Sequence, residues 1–451
     1  MINELAQMMF TTDKQTLEDL NIFGKQGSDS VYAIFNRTTT RGGAWILEEM
    51  FRYPLSDDQV INRRSGIIQY FAALGISFPF QRSHVDAVEP YLRNTDERMK
   101  LAPEDQSHAE TEELYKGVTY LTELLQGMSD FIKSLDERQG SASGHFYQSD
   151  KEAISALLAE PGFAPVLKAD VKAKLPHVTM AEYDLLFRFR HRTTIQKLLR
   201  HIYYLDVYLS VSRVAVERKL VFPTALPRDR HTLHLEGVYH LQLKNAVPNT
   251  VRITPEGNVL FLTGANMAGK STLMKSLGVA LLLAHMGFPV AAASMEFSVL
   301  DGIHTTINLP DNLGMGASHF YAEVLRVKKV AQELSMGKNL FIIFDELFRG
   351  TNVKDAYEAT IAITAGFAAK RNSMFVISSH IIEAGDVLRE RCPTVNFVYL
   401  PTHMNGNIPV YTYTLESGVT ADRHGMVIVN NEGILDILKS GNHKRDKTTI
   451  A

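Results

Sequence analysis

The chain has a single cysteine, Cys392, so no intrachain disulfide can form and no zinc site can be built from cysteines. Charge of one sign is not in excess either. The 47 lysines and arginines against 50 aspartates and glutamates leave a formal net charge of −3. No global basic field announces nucleic acid, and any such contact must come from a local patch. The opening residues, MINELAQMMFTTDKQ, lack a basic region followed by a long apolar stretch, and no apolar run reaches the length of a membrane span. Fixed-period repeats and low-complexity tracts are also missing. These absences predict a cytoplasmic protein that does not engage a membrane. What remains is an ordinary globular composition, 45% hydrophobic and 22% charged over 451 residues, with ample material for a core.

Two halves differ in pattern. Up to about residue 220 the periodicity is helical: Ile195, Leu198, Leu199, Ile202, Leu205 and Leu209 mark one helix face, and Leu121, Leu124, Leu125, Met128 and Ile132 mark another. Gly140 to Gly144 is a loop or a break between helices. Pro223 and Pro227 interrupt the helical pattern. Beyond them, short apolar runs at Val259–Leu262, Leu340–Phe344 and Met374–Ser378 read as strands. They alternate with helix candidates at Thr272–His285, Tyr321–Leu334 and Ala356–Ala369. That alternation predicts an α/β domain with a largely parallel sheet.

Within that second half, Thr263-Gly264-Ala265-Asn266-Met267-Ala268-Gly269-Lys270-Ser271-Thr272 fits the spacing G-x-x-x-x-G-K-[ST], between an apolar strand and a buried helix. At average residue frequencies the four fixed positions coincide by chance in roughly two of a hundred chains this long. Glycines let such a loop turn its N–H groups inward at phosphate oxygens, and the helix N-terminus adds partial positive charge. Lys270 is expected to reach the β- and γ-phosphates, and Ser271 to ligate Mg²⁺.

Two further strand ends carry polar groups. Leu340 to Phe344 is followed by Asp345 and Glu346, where open α/β sheets place their ligands. Asp345 suits the Mg²⁺ shell and Glu346 suits polarising an attacking water. Alone, the pair also reads as an acidic turn; the phosphate loop upstream favours the catalytic reading. The third strand ends in Ser379-His380, a position from which a histidine can donate to a γ-phosphate, or simply be partly exposed.

With these residues assembled, the second half resembles the ATPase domain of the MutS family of DNA mismatch-repair proteins. That family's loop reads TGPNMGGKST, which residues 263–272 match at all but two positions; the Asn-Met pair is unusual among phosphate loops. The family's DE-x-G-R-G-T-[ST] resembles Asp345-Glu346-Leu347-Phe348-Arg349-Gly350-Thr351-Asn352, and its T-H resembles Ser379-His380. Asn312 to Glu323 resembles the segment that crosses a dimer in that family. This implies that Ser318 and the backbone at Gly316 contact the γ-phosphate of the other subunit, although Ser318 also reads as a helix N-cap. Gly418 to Gly425 resembles a motif near the nucleotide base, which brings in His424. In the first half, Ser30 to Thr40, Pro54-Leu55 and Val60 to Arg64 resemble the family's core. Tyr204-Leu205-Asp206 resembles the return of the lever helices.

The resemblance runs from about residue 20 to residue 435. It implies an all-α core and lever domain at 1–222, an α/β P-loop NTPase domain at 223–436 and a polar tail at 437–451. It also implies a homodimer using ATP and Mg²⁺ on mismatched or branched DNA, with possible separate repair factors. The family's mismatch sensors carry N-terminal domains ahead of the core, whereas this sequence starts almost directly at it. Their Phe-x-Glu probe has one match here, Phe344-Asp345-Glu346, which the ATPase site already occupies. Branched DNA is therefore an alternative target, and an ATPase acting on a protein partner is a rival from another class. The densest basic stretch, Phe187-Arg188-Phe189-Arg190-His191-Arg192 followed by Lys197 and Arg200, offers Arg188, Arg190 and Arg192 to DNA phosphates. A solvated helix face, or salt bridges to the lever helices, accounts for it equally well.

Overall fold

Helices fill the described chain up to residue 218, and strands enter after it. The computed structural model describes residues 10–24, 29–94, 108–137, 144–170, 175–308, 319–406, 408–420 and 431–442. In the helical half the main elements are α1 (Lys14–Asp19), α2 (Arg41–Arg52), α3 (Asp58–Leu74), α4 (Arg82–Arg93), α5 (His108–Glu137), α6 (His145–Leu158), α7 (His177–Leu185) and α8 (Arg192–Arg218). Both helix faces expected from spacing are buried, on α5 and on α8. From Leu205 to Ala215 only Arg213 of α8 escapes burial, so this helix is a central strut rather than a surface one. Its Asp206 carboxylate accepts from the N–H groups of Thr39 (2.9 Å) and Thr40 (2.8 Å) and from the Thr40 hydroxyl. Thr40 in turn caps α2 by accepting from the N–H of Gly43.

The strands form a six-stranded sheet in the order β12-β9-β4-β8-β7-β6: β4 (Val259–Gly264), β6 (Gly302–Thr306), β7 (Leu340–Phe344), β8 (Met374–Ser378), β9 (Val395–Leu400) and β12 (Glu416–Ser417). All pairs are parallel except β12 with β9. A second sheet, β1-β5-β2-β3, joins β1 (Thr224–Leu226), β2 (Leu233–Val238), β3 (Asn249–Ile253) and β5 (Ser294–Ser298). A hairpin pairs β10 (Thr402–Asn405) with β11 (Ile408–Tyr411). The second sheet and strands β6 and β9 were not among the strands read from apolar runs. Another difference lies at the C-terminus, where a helix spans Ile434–Asn442 although a polar tail was expected from residue 437.

The main sheet has a different core on each face, as side-chain alternation along a strand requires. On one face Leu260, Leu262, Ile343 and Val376 pack with helix α9 (Lys270–His285) and continue into the interior of the helical half. On the other face Phe261, Ile342, Phe344 and Phe375 meet α10 (His319–Ser335), α11 (Val353–Ala368) and α12 (Glu383–Arg391). Edge strand β6 is covered by residues 10–22. Thr11 bridges Gly302, and buried Asp19 accepts from Thr305 Oγ1 (2.8 Å), Ile307 N (2.9 Å) and Asn308 N (3.0 Å). Among the described residues, no helix is long and apolar enough to cross a membrane.

The C-terminal end of α9 is seated in the helical half. The N–H of Leu55 donates to His285 O (2.8 Å), and Arg64 Nη1 donates to Met286 O (3.0 Å). Phe288 then inserts between Phe35 and Phe51, at ring distances of 5.6 and 5.9 Å. Gly287 turns the chain at φ +69°, and a Cβ there would lie 2.8 Å from Ile61 O. Gly337 has a similar φ of +79° with nothing within 4 Å. Gly337→Ala should therefore cost roughly 1 kcal/mol of backbone strain, and Gly287→Ala roughly 2–4 kcal/mol once the clash is added. Urea unfolding of both variants checks this; equal losses would show that the turn at Gly287 is not wedged.

Candidate functional site

The parallel order brings the C-terminal ends of β4, β8 and β7 side by side at one edge of the sheet. From β4 the chain passes through Gly264 (φ +149°), Met267 (φ +69°) and Gly269 (φ +100°) into α9. A Cβ on Gly264 would sit 3.2 Å from Leu400 O. Gly269 is the N-cap of α9 and provides no side-chain acceptor, and the first turn contains no acid. The first N–H groups of a 16-residue helix thus lack a side-chain cap, which is the condition for receiving an anion. Asn266, Met267, Ser271 and Thr272 are exposed, Ala265 is half-buried, and Ala268 is buried under the loop.

Lys270 is buried, and its Nζ donates to Gly264 O (2.9 Å) and Ala265 O (3.2 Å). Burial lowers its pKa, opposed by the charges of Glu346 and Asp345. Asp345 accepts from Ser271 Oγ (2.5 Å) through one oxygen and from Ser378 Oγ (2.5 Å) through the other. Ser378 Oγ also accepts from the N–H of Glu346 (3.0 Å). Glu346 and Phe348 both have positive φ, +58° and +62°. Non-glycine residues held this way are strained, and such strain gathers at working sites. The Glu346 carboxylate is gripped by His380 Nε2 through Oε1 and by Arg349 Nη1 (3.2 Å) through Oε2.

The structure therefore brings Lys270, Ser271, Asp345, Glu346 and His380 together. Gly316, Ser318 and His424 lie outside the described residues. Three contributors were missed by sequence reasoning: Ser378, Arg349 as the second grip on Glu346, and Tyr413. Tyr413 also has a positive φ (+56°), is 45% exposed, and lies beside the loop, where a Cβ on Gly269 would be 3.1 Å from its ring. Its carbonyl is held by Asn249 Nδ2 (2.9 Å). Arg349 could have been found as a cation three residues after Glu346, whereas Ser378 and Tyr413 are brought in only by strand order.

The basic stretch needs a correction. Arg188 is 1% exposed at its side chain and makes a two-pronged pair with buried Asp184, both at 2.6 Å, with Tyr91 OH on the same carboxylate. It is unavailable to a nucleic-acid phosphate. Arg190 is exposed and Arg192 half-buried. Arg188 is thus paired with a carboxylate four residues earlier and is not part of a solvated helix face, while Lys197 and Arg200 line a separate cleft.

Residues 260–447, which hold this loop and the Asp345, Glu346 and His380 cluster, match the family model for MutS domain V. The similarity to that domain lies in the C-terminal part of the chain. The chain is 27% identical to the DNA mismatch repair protein MutS of Persephonella marina over 278 residues, covering 60% of this chain and 31% of that protein. Against the MutS of Leuconostoc citreum the identity is 32% over 216 residues, covering 46% and 24%. The MutS of Streptococcus agalactiae is 27% identical over 269 residues, covering 57% and 31%. The chain thus spans about a third of the length of the curated relatives it matches.

The hydrogen bond from His380 is the largest influence on the Glu346 carboxyl. Together with the charges of His380, Arg349 and Lys270 it outweighs burial and lowers the pKa below the usual 4.5. A carboxyl depressed by folding stabilises above its unfolded pKa and loses that contribution as pH falls through the folded one. Stability should accordingly fall as pH drops below 4.5, and the decline should be shallower in Glu346→Gln. Thermal melts in steps from roughly pH 6 to pH 3 test this, and parallel declines would show that the grip on Glu346 does not form.

Proposed function

We propose that the chain is an ATPase of mismatch or related DNA repair, binding ATP at the 264–272 loop and hydrolysing it with Glu346. The observation that carries this reading is the convergence of an uncapped helix N-terminus, a buried lysine and two strand-end carboxylates at one sheet edge. The loop N–H groups and Lys270 bind the phosphates, Lys270 exchanging the carbonyls of Gly264 and Ala265 for phosphate oxygens. Glu346 accepts a proton from the water that attacks the γ-phosphorus, and the bond to the β,γ-bridging oxygen breaks to release ADP and phosphate.

Ser271 and Asp345 fit a magnesium site. Their hard oxygens lie 2.5 Å apart beside the loop, and Mg²⁺ takes one or two protein oxygens with substrate phosphates and water. When bound, that ion would neutralise charge on the phosphate oxygens. Nearby, Tyr413 offers an exposed ring face to the base, and His380 reports the γ-phosphate by leaving Glu346 for it. Gly316 and Ser318 of a second copy would complete the site in a homodimer, with His424 near the base. The helical half, joined to the end of α9, carries nucleotide state toward DNA.

Glu346→Gln should bind ATP with little change and lose turnover by at least about a hundredfold. Wild-type turnover would remove Glu346 from the chemistry. Tyr413→Ala should raise KM for ATP several-fold with kcat nearly unchanged; a loss confined to kcat would exclude base binding by that ring. Steady-state ATPase rates with homoduplex, mismatched and four-way-junction DNA at one salt concentration identify the partner. Stimulation by the mismatch supports repair, preference for the junction moves the target to branched DNA, and indifference to all three removes DNA from the proposal.

A further inference from the structure

Helices α3, α6 and α8 enclose a cleft of about 580 Å³ on the side of the helical half, lined by Arg63, Asp150, Lys197, Arg200, His201 and Tyr204 among others. Three permanent cations and one acid line it, with Glu49 also acting on Arg200. Asp150 pairs with Arg63 Nη2 at 2.6 Å, and His201 Nδ1 lies 3.8 Å from its other oxygen. Burial lowers the His201 pKa against the pull of Asp150, leaving the ring a neutral hydrogen-bonding group at neutral pH. Lys197 and Arg200 are exposed, and the Arg200 guanidinium lies over the Tyr204 ring at 5.7 Å. Tyr208 lies next to Tyr204, ring centroids 6.1 Å apart, and Ala153, Ala156 and Leu157 complete an apolar wall.

The charge balance selects an anion. The tyrosines and the apolar wall select a flat, partly apolar body attached to it. The volume lies within the usual range for small-molecule sites. We propose that this cleft binds a small organic phosphate carrying a flat ring, of mononucleotide size, with Lys197 and Arg200 on the phosphate and Tyr204 against the ring. It is separate from the 264–272 loop and does not rest on the ATPase reading.

The test is equilibrium binding of adenosine 5′-monophosphate to the full chain in a Lys270→Ala background, which weakens phosphate binding at the loop. Saturable binding is expected, reduced at least about tenfold by Lys197→Ala with Arg200→Ala. Ala156→Trp, which places an indole in the cleft and leaves its charges in place, should reduce it similarly. Inorganic phosphate alone and adenosine alone should each bind at least about tenfold more weakly than the monophosphate. No saturable binding, or binding indifferent to the Lys197 and Arg200 changes, would overturn the proposal. Phosphate binding as tightly as the monophosphate would overturn the assignment of the ring to Tyr204. Should Ala156→Trp fail to fold, the exposed Lys197 and Arg200 positions still decide the matter, with thermal melting confirming that those variants remain native.

Discussion

The seating of the α9 C-terminus in the helical half is the contact on which the rest depends. A helix that begins at the glycine loop ends, 16 residues later, with two carbonyls bonded to Leu55 and Arg64 and with Phe288 between Phe35 and Phe51. Helices are stiff along their axes, so displacement of the loop end is transmitted to the core rather than absorbed. No flexible linker separates the candidate chemistry from the helical half at this contact. The rigid element is the link.

At the loop end the polar groups satisfy one another. Lys270 donates to loop carbonyls, Ser271 and Ser378 donate to Asp345, and His380 and Arg349 hold Glu346. Buried or half-buried charges left unpaired would be costly, and these internal partners remove that cost. The carbonyls that accept from Lys270 are weaker acceptors than a phosphate oxygen, so an anionic ligand can take their place on that lysine.

Much of this site was legible because its key residues fall in contiguous runs. The loop needs glycines at fixed places for its positive φ, and Asp345 and Glu346 follow five apolar residues with no interruption. Legibility failed where strand order, not sequence proximity, supplies the neighbour, as with Ser378 under Asp345 and Tyr413 beside Gly269. It failed again at β6, whose residues Gly302–Thr306 are buried without an apolar run. Their polar groups are met by partners far along the chain: Thr305 by Asp19, and His304 by Asp13 and Glu333. Arg188 was legible and overread. Its partner Asp184 lies four residues earlier, the spacing at which helical charges pair.

The two faces of the main sheet do not have equal standing. One shares a continuous interior with the helical half, from Phe10 through Phe35 and Leu199 to Leu262 and Val376; the other is closed by α10, α11 and α12 around a smaller core of its own. The prolines near residue 225 therefore mark a change of sequence style, while the shared interior runs through it uninterrupted. Neither half could be grafted elsewhere as a cassette, since each supplies walls of the other's interior.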